Sequence, residues 1–254
     1  MTLLQLCFRF YNSAANVLTP GLRSTQYDYL DLVREVVPGN SWLDIGCGHQ
    51  VVPNWMRNAA DTSRQLVQSA RWAGGVDISH DALVQHQHFR NRVVSDGYHL
   101  PFADNSFDII TANMVIEHVG QPADFLKEVR RVLRSDGRLA FHTTNYWNYL
   151  MLVASAMPGA LRKRLTSLLE GRAESDIFPT FYRLNTPAAI RDAASRNGYE
   201  LETIKILNSS AVTVRLGPLV LLELLTIRLL SANWAENFRS NIIVVLRKTD
   251  EKLA

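Results

Sequence analysis

Short apolar segments alternate with amphipathic ones from about residue 24 to residue 145. Five of the apolar segments have the length and composition of β-strands. They lie at residues 41–46, 75–79, 92–96, 107–113 and 138–142. Strands and helices that alternate with connections this short predict a parallel α/β sheet. The helix after the second strand is expected to run to about Phe89.

The helix before the fifth strand shows a regular apolar periodicity. Its apolar residues recur at the spacing of a helix face that packs on a sheet. They are Phe125, Leu126, Val129, Val132 and Leu133. The run Ser-Asp-Gly at 135–137 is expected to end this helix, with Gly137 in the left-handed cap conformation.

The alternation breaks at residue 146, and residues 146–185 are aromatic and basic. It resumes at Thr186 and Pro187, an N-cap followed by proline at the first helical position. A sixth strand is predicted at 199–207 and a last one at 241–247, with an apolar helix at 216–232 between them. We therefore predict one domain over residues 1–254. Its α/β core covers 24–145 and 186–248, and it carries two helical insertions, at 146–185 and 216–232.

Composition excludes several classes of protein. Hydrophobic residues make up 47% and charged residues 20%, which is typical of a globular chain and not of a disordered one. Two cysteines, Cys7 and Cys47, cannot build a disulfide scaffold and favour a reducing compartment, so the expected location is the cytoplasm. The net charge of +3 is too weak to predict a nucleic-acid partner. The longest apolar run, 216–230, is shorter than the roughly 20 residues of a membrane-spanning helix.

The first candidate site is the motif Leu-Asp-Ile-Gly-Cys-Gly at 43–48. It places Asp44 at the end of a strand and then a glycine turn, with a helix following, and Gly46 and Gly48 let the backbone approach a ligand closely. The carboxylate puts negative charge where an amine or ammonium group could be held. A dinucleotide fingerprint needs a third glycine at position 51, which is Val51, so an NAD-binding site is disfavoured.

Three further polar positions follow the next strands. Asp77 ends the second strand, where an acidic residue can accept both hydroxyls of a ribose; the less favoured alternative is a solvated cap for the helix that starts at Ser79. It lies 29 residues after Gly48, so the connection between them must be extended. Asp96, with Tyr98 close by, could accept the amine of an adenine, and Asn113 follows the fourth strand.

Together these motifs resemble the class I S-adenosylmethionine-dependent methyltransferases of the small-molecule "type 11" group. The resemblance covers about residues 40–145 in order. It is carried by Leu-Asp-Ile-Gly-Cys-Gly at 43–48, Val-Asp at 76–77, Asp96 with Leu-Pro-Phe at 100–102, Ser-Phe-Asp at 106–108, Glu-His at 117–118 and Glu-Val-Arg-Arg-Val-Leu-Arg-Ser-Asp-Gly at 128–137. It implies a Rossmann-like, seven-stranded, mostly parallel sheet with the last strand antiparallel and helices on both faces.

The resemblance also implies a cofactor, S-adenosylmethionine, and the product S-adenosylhomocysteine. The cofactor-binding residues that it implies are Asp44, Gly46, Cys47, Gly48, Asp77, Ile78, Asp96, Gly97, Tyr98 and Asn113. One departure from the family is Gln50, at a position that often holds a third glycine.

Methyl transfer to a hydroxyl needs a base, and His118 and His142 are the candidates by position at the ends of strands four and five. Either could instead be packed under the cofactor loop. Some relatives bind a divalent cation through Glu-x-x-Glu-His, but Met114 occupies the first position here, so we expect no metal.

Aromatic and basic residues of the first insertion are the candidates for binding the acceptor: Tyr146, Trp147, Tyr182 and Arg183. Rings and arginines suit a small-molecule, saccharide or lipid-linked acceptor. The apolar segment 216–230 predicts a buried helix, a homodimer contact or a membrane-surface contact. The alternative function is a non-catalytic partner protein of the same fold in a biosynthetic complex.

Overall fold

The computed structural model describes residues 2–155 and 179–249. Seven strands form one sheet in the order β3-β2-β1-β4-β5-β7-β6. They are β1 Ser41–Ile45, β2 Trp72–Asp77, β3 Asn91–Val94, β4 Phe107–Asn113, β5 Leu133–Thr144, β6 Tyr199–Leu207 and β7 Asn241–Lys248. Strand β7 runs antiparallel to both of its neighbours, and the other pairs are parallel. The predicted Rossmann-like fold, with an antiparallel last strand, is confirmed.

Eight α-helices lie within the described residues. They are α1 Leu3–Leu18, α2 Thr25–Val36, α3 Ala59–Ser69, α4 His80–Gln85, α5 Pro122–Val132, α6 Tyr149–Ser155, α7 Pro187–Arg196 and α8 Val220–Leu230. The Thr186 side chain accepts a hydrogen bond from the Ala189 backbone and caps α7, and Pro187 occupies its first turn, as the sequence predicts.

The sheet reverses its order of winding between β1 and β4, which are neighbours although β2 and β3 separate them in sequence. All five residues of β1 are buried, and Asp44 pairs in register with Thr111 of β4. Ligands of open α/β sheets bind at the carboxyl ends of the strands beside such a reversal. The fold therefore places the motif at 43–48 at the expected crevice.

The structure corrects the expected end of α5. The helix ends at Val132, and β5 begins at Leu133 without an intervening turn. Leu133 already pairs with Phe107, and a register shift before Arg138 accommodates the extra residues of β5. Asp136, not Gly137, takes the left-handed conformation, with φ of 60°.

Two helix boundaries after the glycine turn also differ from expectation. Helix α3 begins only at Ala59, so an extended loop, residues 49–58, accounts for the long separation between Gly48 and Asp77. Helix α4 ends at Gln85 and does not reach Phe89. The ring Nδ1 of His86 accepts the backbone N–H of Phe89 at 3.1 Å, which turns the chain out of the helix.

The chain divides into two compact units. One contains Met1–Tyr27, Thr144–Pro179 and Ile206–Asn241, and the other contains Asp28–Thr143, Thr180–Lys205 and Ile242–Ala254, which include nearly all of the sheet. The first unit, called here the helical unit, has its own core, in which α1 and α8 pack around a cluster of small and aliphatic residues. They are Ala15, Ala211, Val214, Val220, Leu224 and Ile227. The predicted single domain and its two insertion boundaries stay predictions. In the described part of the chain, no helix is both long and apolar enough to cross a bilayer.

Candidate active site

Asp44 is the most unusual ionisable group at the carboxyl edge of the sheet. Its side chain is only 9% exposed, and one oxygen accepts the hydroxyl proton of Thr111 at 2.5 Å. Thr111 in turn accepts the indole N–H of Trp42 at 2.7 Å, so its single proton is committed to Asp44. Burial raises the pKa of Asp44 to about 7; the hydrogen bond from Thr111 opposes this rise, and the charge of Asp77 adds to it.

The glycine turn requires two glycines for different reasons. Gly46 has φ of 67°, and a Cβ there would lie 2.3 Å from Cγ2 of Val115, closer than real Cβ contacts. Gly48 has φ of 55°, but no atom lies within 4 Å of where its Cβ would stand. The first glycine therefore permits close packing against the β4 side of the site, while the second leaves open space above the turn.

Asp77 connects the turn to the end of β2. One carboxylate oxygen accepts the backbone N–H of Gly48 and the other accepts that of Ser79, both at 2.8 Å. The alternative role as a cap near Ser79 is thus present together with a contact to the glycine turn, and Ile78 beside it is exposed. The thiol of Cys47 is buried, and burial and the two nearby carboxylates raise its pKa.

Asp44 and Asp77 form an acidic pair without a cationic partner. Across residues 2–155 and 179–249, neither carboxylate takes part in an ion pair. Buried carboxylates are normally paired, so this arrangement suits a ligand that brings its own positive charge. S-adenosylmethionine carries a sulfonium, an ammonium group and two ribose hydroxyls, and these residues fit it.

Asp96 follows β3 and is held in a tight turn. One carboxylate oxygen accepts the backbone N–H groups of Tyr98 at 2.8 Å and His99 at 3.2 Å, while Gly97 takes φ of 82°. Its slight burial would raise the pKa of Asp96, but these hydrogen bonds and the His99 ring outweigh it and hold the pKa below its usual value. Asp96 is therefore ionised at neutral pH and able to accept a further donor.

The phenol of Tyr98 has a structural partner. Its oxygen accepts the backbone N–H of Gly120 at 2.9 Å and of Gln121 at 3.2 Å, immediately before α5. The ring meets Phe125 of α5 edge to face, with centroids 6.3 Å apart. Tyr98 thus fixes the start of α5 against the turn after β3, a contact that the sequence did not predict.

Asn113 and His142 end neighbouring strands and contact each other. The side-chain oxygen of Asn113 lies 3.0 Å from Nδ1 of His142, which places the His142 proton on Nδ1 when the ring is neutral. Burial lowers the pKa of His142 to about 3, and its ring stacks on Tyr29. His142 is therefore neutral and a weak base at physiological pH. His118, the other candidate base, is half-buried at the end of a short 3-10 helix.

Glu117 anchors two parts of the site through different atoms. Its buried carboxylate accepts the hydroxyl proton of Thr143 at 2.8 Å, and Thr143 accepts the side-chain N–H of Asn185 at 2.7 Å. Its backbone carbonyl accepts the N–H groups of Phe181 at 2.8 Å and Tyr182 at 3.2 Å. Glu117 consequently positions the chain before α7 and is not free to act as a base.

The candidate acceptor residues are all at least partly accessible to solvent. Tyr146 and Trp147 are exposed, and their rings meet nearly edge to face at a centroid distance of 5.6 Å. Tyr182 is half-buried with φ of 52°, and Arg183 is exposed. The basic segment at 162–164, which belongs to the same predicted insertion, lies outside the described residues.

A polar cavity of about 520 Å³ lies beside the glycine turn. It is lined by His49, Gln50, Asn54, Gln85, Gln87 and His88. The side-chain oxygen of Gln50 and Nδ1 of His88 are buried without a hydrogen-bond partner. Among the described residues, no group of three His, Cys, Asp or Glu side chains could hold a metal ion. The cavity is therefore lined by amide and imidazole groups and by no carboxylate, in contrast to the acidic pair.

The sequence pattern does not predict the polar residues that support Asp44 and Glu117. Thr111 and Trp42 support Asp44, and Thr143 with Asn185 supports Glu117. A polar residue inside an otherwise apolar strand was the available signal for Thr111. No local signal identifies Asn185, because its partner lies 42 positions away.

A family model described as "Methyltransferase domain" matches residues 43–141. A demethylmenaquinone methyltransferase of Corynebacterium efficiens is 34% identical over 107 residues, which are 41% of this chain and 42% of that protein. Methyltransferase GfsG of Streptomyces halstedii is 27% identical over 205 residues, 79% of this chain and 66% of that protein. The chain thus spans about two fifths and two thirds of the lengths of these two relatives.

The fold is shared with solved structures. The crystal structure of an S-adenosylmethionine-dependent methyltransferase from Mesorhizobium loti superposes with a TM-score of 0.56 at 18% identity, covering 89% of this chain and 98% of that one. The matched residues 43–141 contain the acidic pair, the glycine turn, Asp96, Asn113 and His118. Residues 43–141 therefore match the methyltransferase domain of the class I, type 11 group, whose cofactor is S-adenosylmethionine.

Proposed function

We propose that this protein transfers a methyl group from S-adenosylmethionine to a small-molecule acceptor. The observation that carries the proposal is the pair of buried Asp44 and half-buried Asp77, which has no cationic partner among the described residues, around a glycine turn with open space above it. The cofactor, when bound, would supply a methyl group on a cationic sulfur. The acceptor atom would bond to the methyl carbon in line as the carbon–sulfur bond breaks, and the sulfur would leave as the neutral thioether, with no need for a metal or a covalent enzyme intermediate.

Each acidic residue has a separate role in binding. Asp44 is about half protonated at pH 7 in the ligand-free protein, and a neighbouring cation favours its ionised form. Asp77 already accepts two backbone N–H groups, and its remaining lone pairs can accept the ribose hydroxyls. Asp96 can accept the adenine amine. Binding near neutral pH then releases a proton from Asp44.

His118 is the better of the two candidate bases. The pKa of about 3 makes His142 a poor proton acceptor at physiological pH, and its Nδ1 contacts Asn113. His142 then serves to orient Asn113 at the reacting end of the cofactor. For the acceptor we propose a saccharide or a lipid-linked molecule, because exposed aromatic rings such as Tyr146 and Trp147 can stack on a sugar or an extended apolar group.

Calorimetric titration with S-adenosylhomocysteine, with NAD as the control ligand, tests the cofactor site. We expect binding of the first ligand alone. Asp77→Asn should weaken it at least about tenfold, the effect of losing one charge-assisted hydrogen bond. Asp81→Asn is the matched control, because the Asp81 side chain is 92% exposed on α4, where one carboxylate oxygen lies 3.6 Å from Nδ1 of His80. Equal affinities for the two variants would contradict the assignment of Asp77.

The pH dependence of binding tests Asp44 separately. Because the ligand's ammonium group requires an ionised Asp44 with a pKa of about 7, affinity should fall about tenfold between pH 8 and pH 6. The binding enthalpy should also vary with the ionisation enthalpy of the buffer at pH 7. Affinity that is constant with pH would exclude this role for Asp44. Binding without methyl transfer to any acceptor tried would favour the non-catalytic alternative.

A further inference from the structure

Exposed apolar side chains are concentrated in the helical unit. Twenty-one large hydrophobic residues are exposed among the described residues, and sixteen of these belong to the helical unit. The helical unit nevertheless holds well under half of all described residues. Soluble monomers rarely leave extended apolar patches open to water, and such patches mark interaction sites. The excess therefore points to a partner for this unit.

Helix α8 supplies the first part of this surface. Val220, Leu224 and Ile227 are buried in the core of the helical unit. Leu222, Leu225 and Leu229 recur at i, i+3 and i+7 and lie on the opposite side, and Leu222 is 66% exposed. The helix is thus apolar on two opposite sides, of which its own unit covers one.

Helix α1 supplies a second exposed stripe. Leu3, Leu6, Phe10 and Val17 recur at helical spacing and are exposed, with Leu3 at 79%. The opposite side of α1 contains Ala15, which packs into the same core as α8. Each of these two helices therefore presents one apolar face to the core and one to the surroundings.

The charges of the helical unit favour an anionic partner. Its described residues hold five arginines and two glutamates, and one of the glutamates, Glu223, is buried against Tyr149. In a symmetric dimer the same surface meets itself, so this positive charge would oppose itself. An anionic bilayer is complementary to it, and the exposed indoles of Trp147 and Trp234 suit the water–lipid interface.

We propose that the exposed faces of α1 and α8 bind the helical unit to the surface of an anionic lipid bilayer. The leucines and Phe10 enter the boundary between headgroups and acyl chains, while the four exposed arginines contact the headgroups. Neither helix is long enough to cross the membrane, so the protein lies on it. This inference goes beyond the proposed function, because it concerns residues outside the cofactor site.

Flotation of the purified full chain with lipid vesicles tests the proposal. We expect binding to vesicles of phosphatidylcholine with phosphatidylglycerol, weaker binding to phosphatidylcholine alone, and a loss of binding at high salt. The triple variant Leu222→Gln, Leu225→Gln, Leu229→Gln should bind at least about tenfold more weakly, since it removes three apolar insertions while keeping good helix formers.

Controls separate this surface from the fold and the cofactor site. Val84→Gln with Val94→Gln changes two exposed apolar residues of the other unit and should leave vesicle binding unchanged. The triple variant should keep its affinity for S-adenosylhomocysteine and its melting temperature. The proposal is overturned if the wild type binds neither kind of vesicle. It is equally overturned if the wild type dimerises through α8 without lipid and the triple variant is monomeric.

Discussion

Asp44→Asn should stabilise the ligand-free protein, and the gain should grow with pH. The folded protein raises the pKa of Asp44 to about 7, whereas an aspartate in an unfolded chain has a pKa of about 3.9. Because the folded protein holds the proton of Asp44 more tightly than the unfolded chain, protonated Asp44 contributes stability. This contribution is complete below the pKa of the unfolded chain, and it is lost as the pH rises through the pKa of the folded protein. The wild type therefore loses stability between about pH 4 and pH 7, and asparagine does not.

The size of the effect follows from the two pKa values. One pKa unit corresponds to about 1.4 kcal/mol, so the full penalty for ionised Asp44 is about 4 kcal/mol above pH 7. Between pH 5 and pH 8 the advantage of the variant should grow by about 2.5 kcal/mol. Asparagine keeps an oxygen that can accept the hydroxyl proton of Thr111, so the hydrogen bond beneath the site can survive.

Urea unfolding at pH 5 and pH 8 measures this difference, provided that the dependence of the unfolding free energy on urea concentration is the same for both proteins. Asp81→Asn, on the exposed surface of α4, should stay within about 0.5 kcal/mol of the wild type at both pH values. Parallel pH profiles for the wild type and Asp44→Asn would refute the reasoning. The variant should at the same time bind S-adenosylhomocysteine poorly, since it lacks the charge that holds the ligand's ammonium group.

Three further predictions concern the glycine turn and the helical unit. Gly46→Ala should destabilise the protein by at least about 2 kcal/mol in urea unfolding, because it adds a clash with Val115 to an unfavourable φ, whereas Gly48→Ala should cost only about 1 kcal/mol. Cys47 should resist iodoacetamide at neutral pH until the protein unfolds, since burial raises its pKa; peptide mapping of the labelled protein checks this. Glu223→Ala should lower the free energy of unfolding by about 3 kcal/mol, and with it the melting temperature. The reason is that the Glu223 carboxylate accepts hydrogen bonds from the backbone N–H groups at 212 and 213 and from the phenol of Tyr149.

The strands and the acidic residues at their ends were predictable because they depend on local patterns. Apolar runs of five to seven residues define β1 and β4, and a glycine or an acidic residue marks where a strand ends. The end of α5 was not predictable, because the pairing of Leu133 with Phe107 outweighs the turn tendency of the Ser-Asp-Gly run. Long-range pairing decided the conformation there, and a single sequence does not show it.

The charge state of the site was also not predictable from the sequence. Asp44 and Asp77 lie 33 positions apart, and the spacing alone gives no information about burial or about the absence of a cation. Likewise, Tyr98 is predicted to bind the cofactor because it follows Asp96, and only the structure shows that its hydroxyl also fixes the start of α5. Sequence position identified which residues gather at the edge of the sheet, and the hydrogen bonds determined what each of them is able to do.

The hydrogen bond between Thr143 and Asn185 has a consequence for how such a chain can diversify. These two side chains close a loop of 42 positions, and the Glu117 carboxylate fixes Thr143 by accepting its hydroxyl proton. The entropy of closing a loop rises only with the logarithm of its length, so doubling the loop costs about 0.6 kcal/mol. The length of the connection between these two residues could therefore change at a small entropic cost, provided that Tyr149, whose phenol donates to Glu223, is retained.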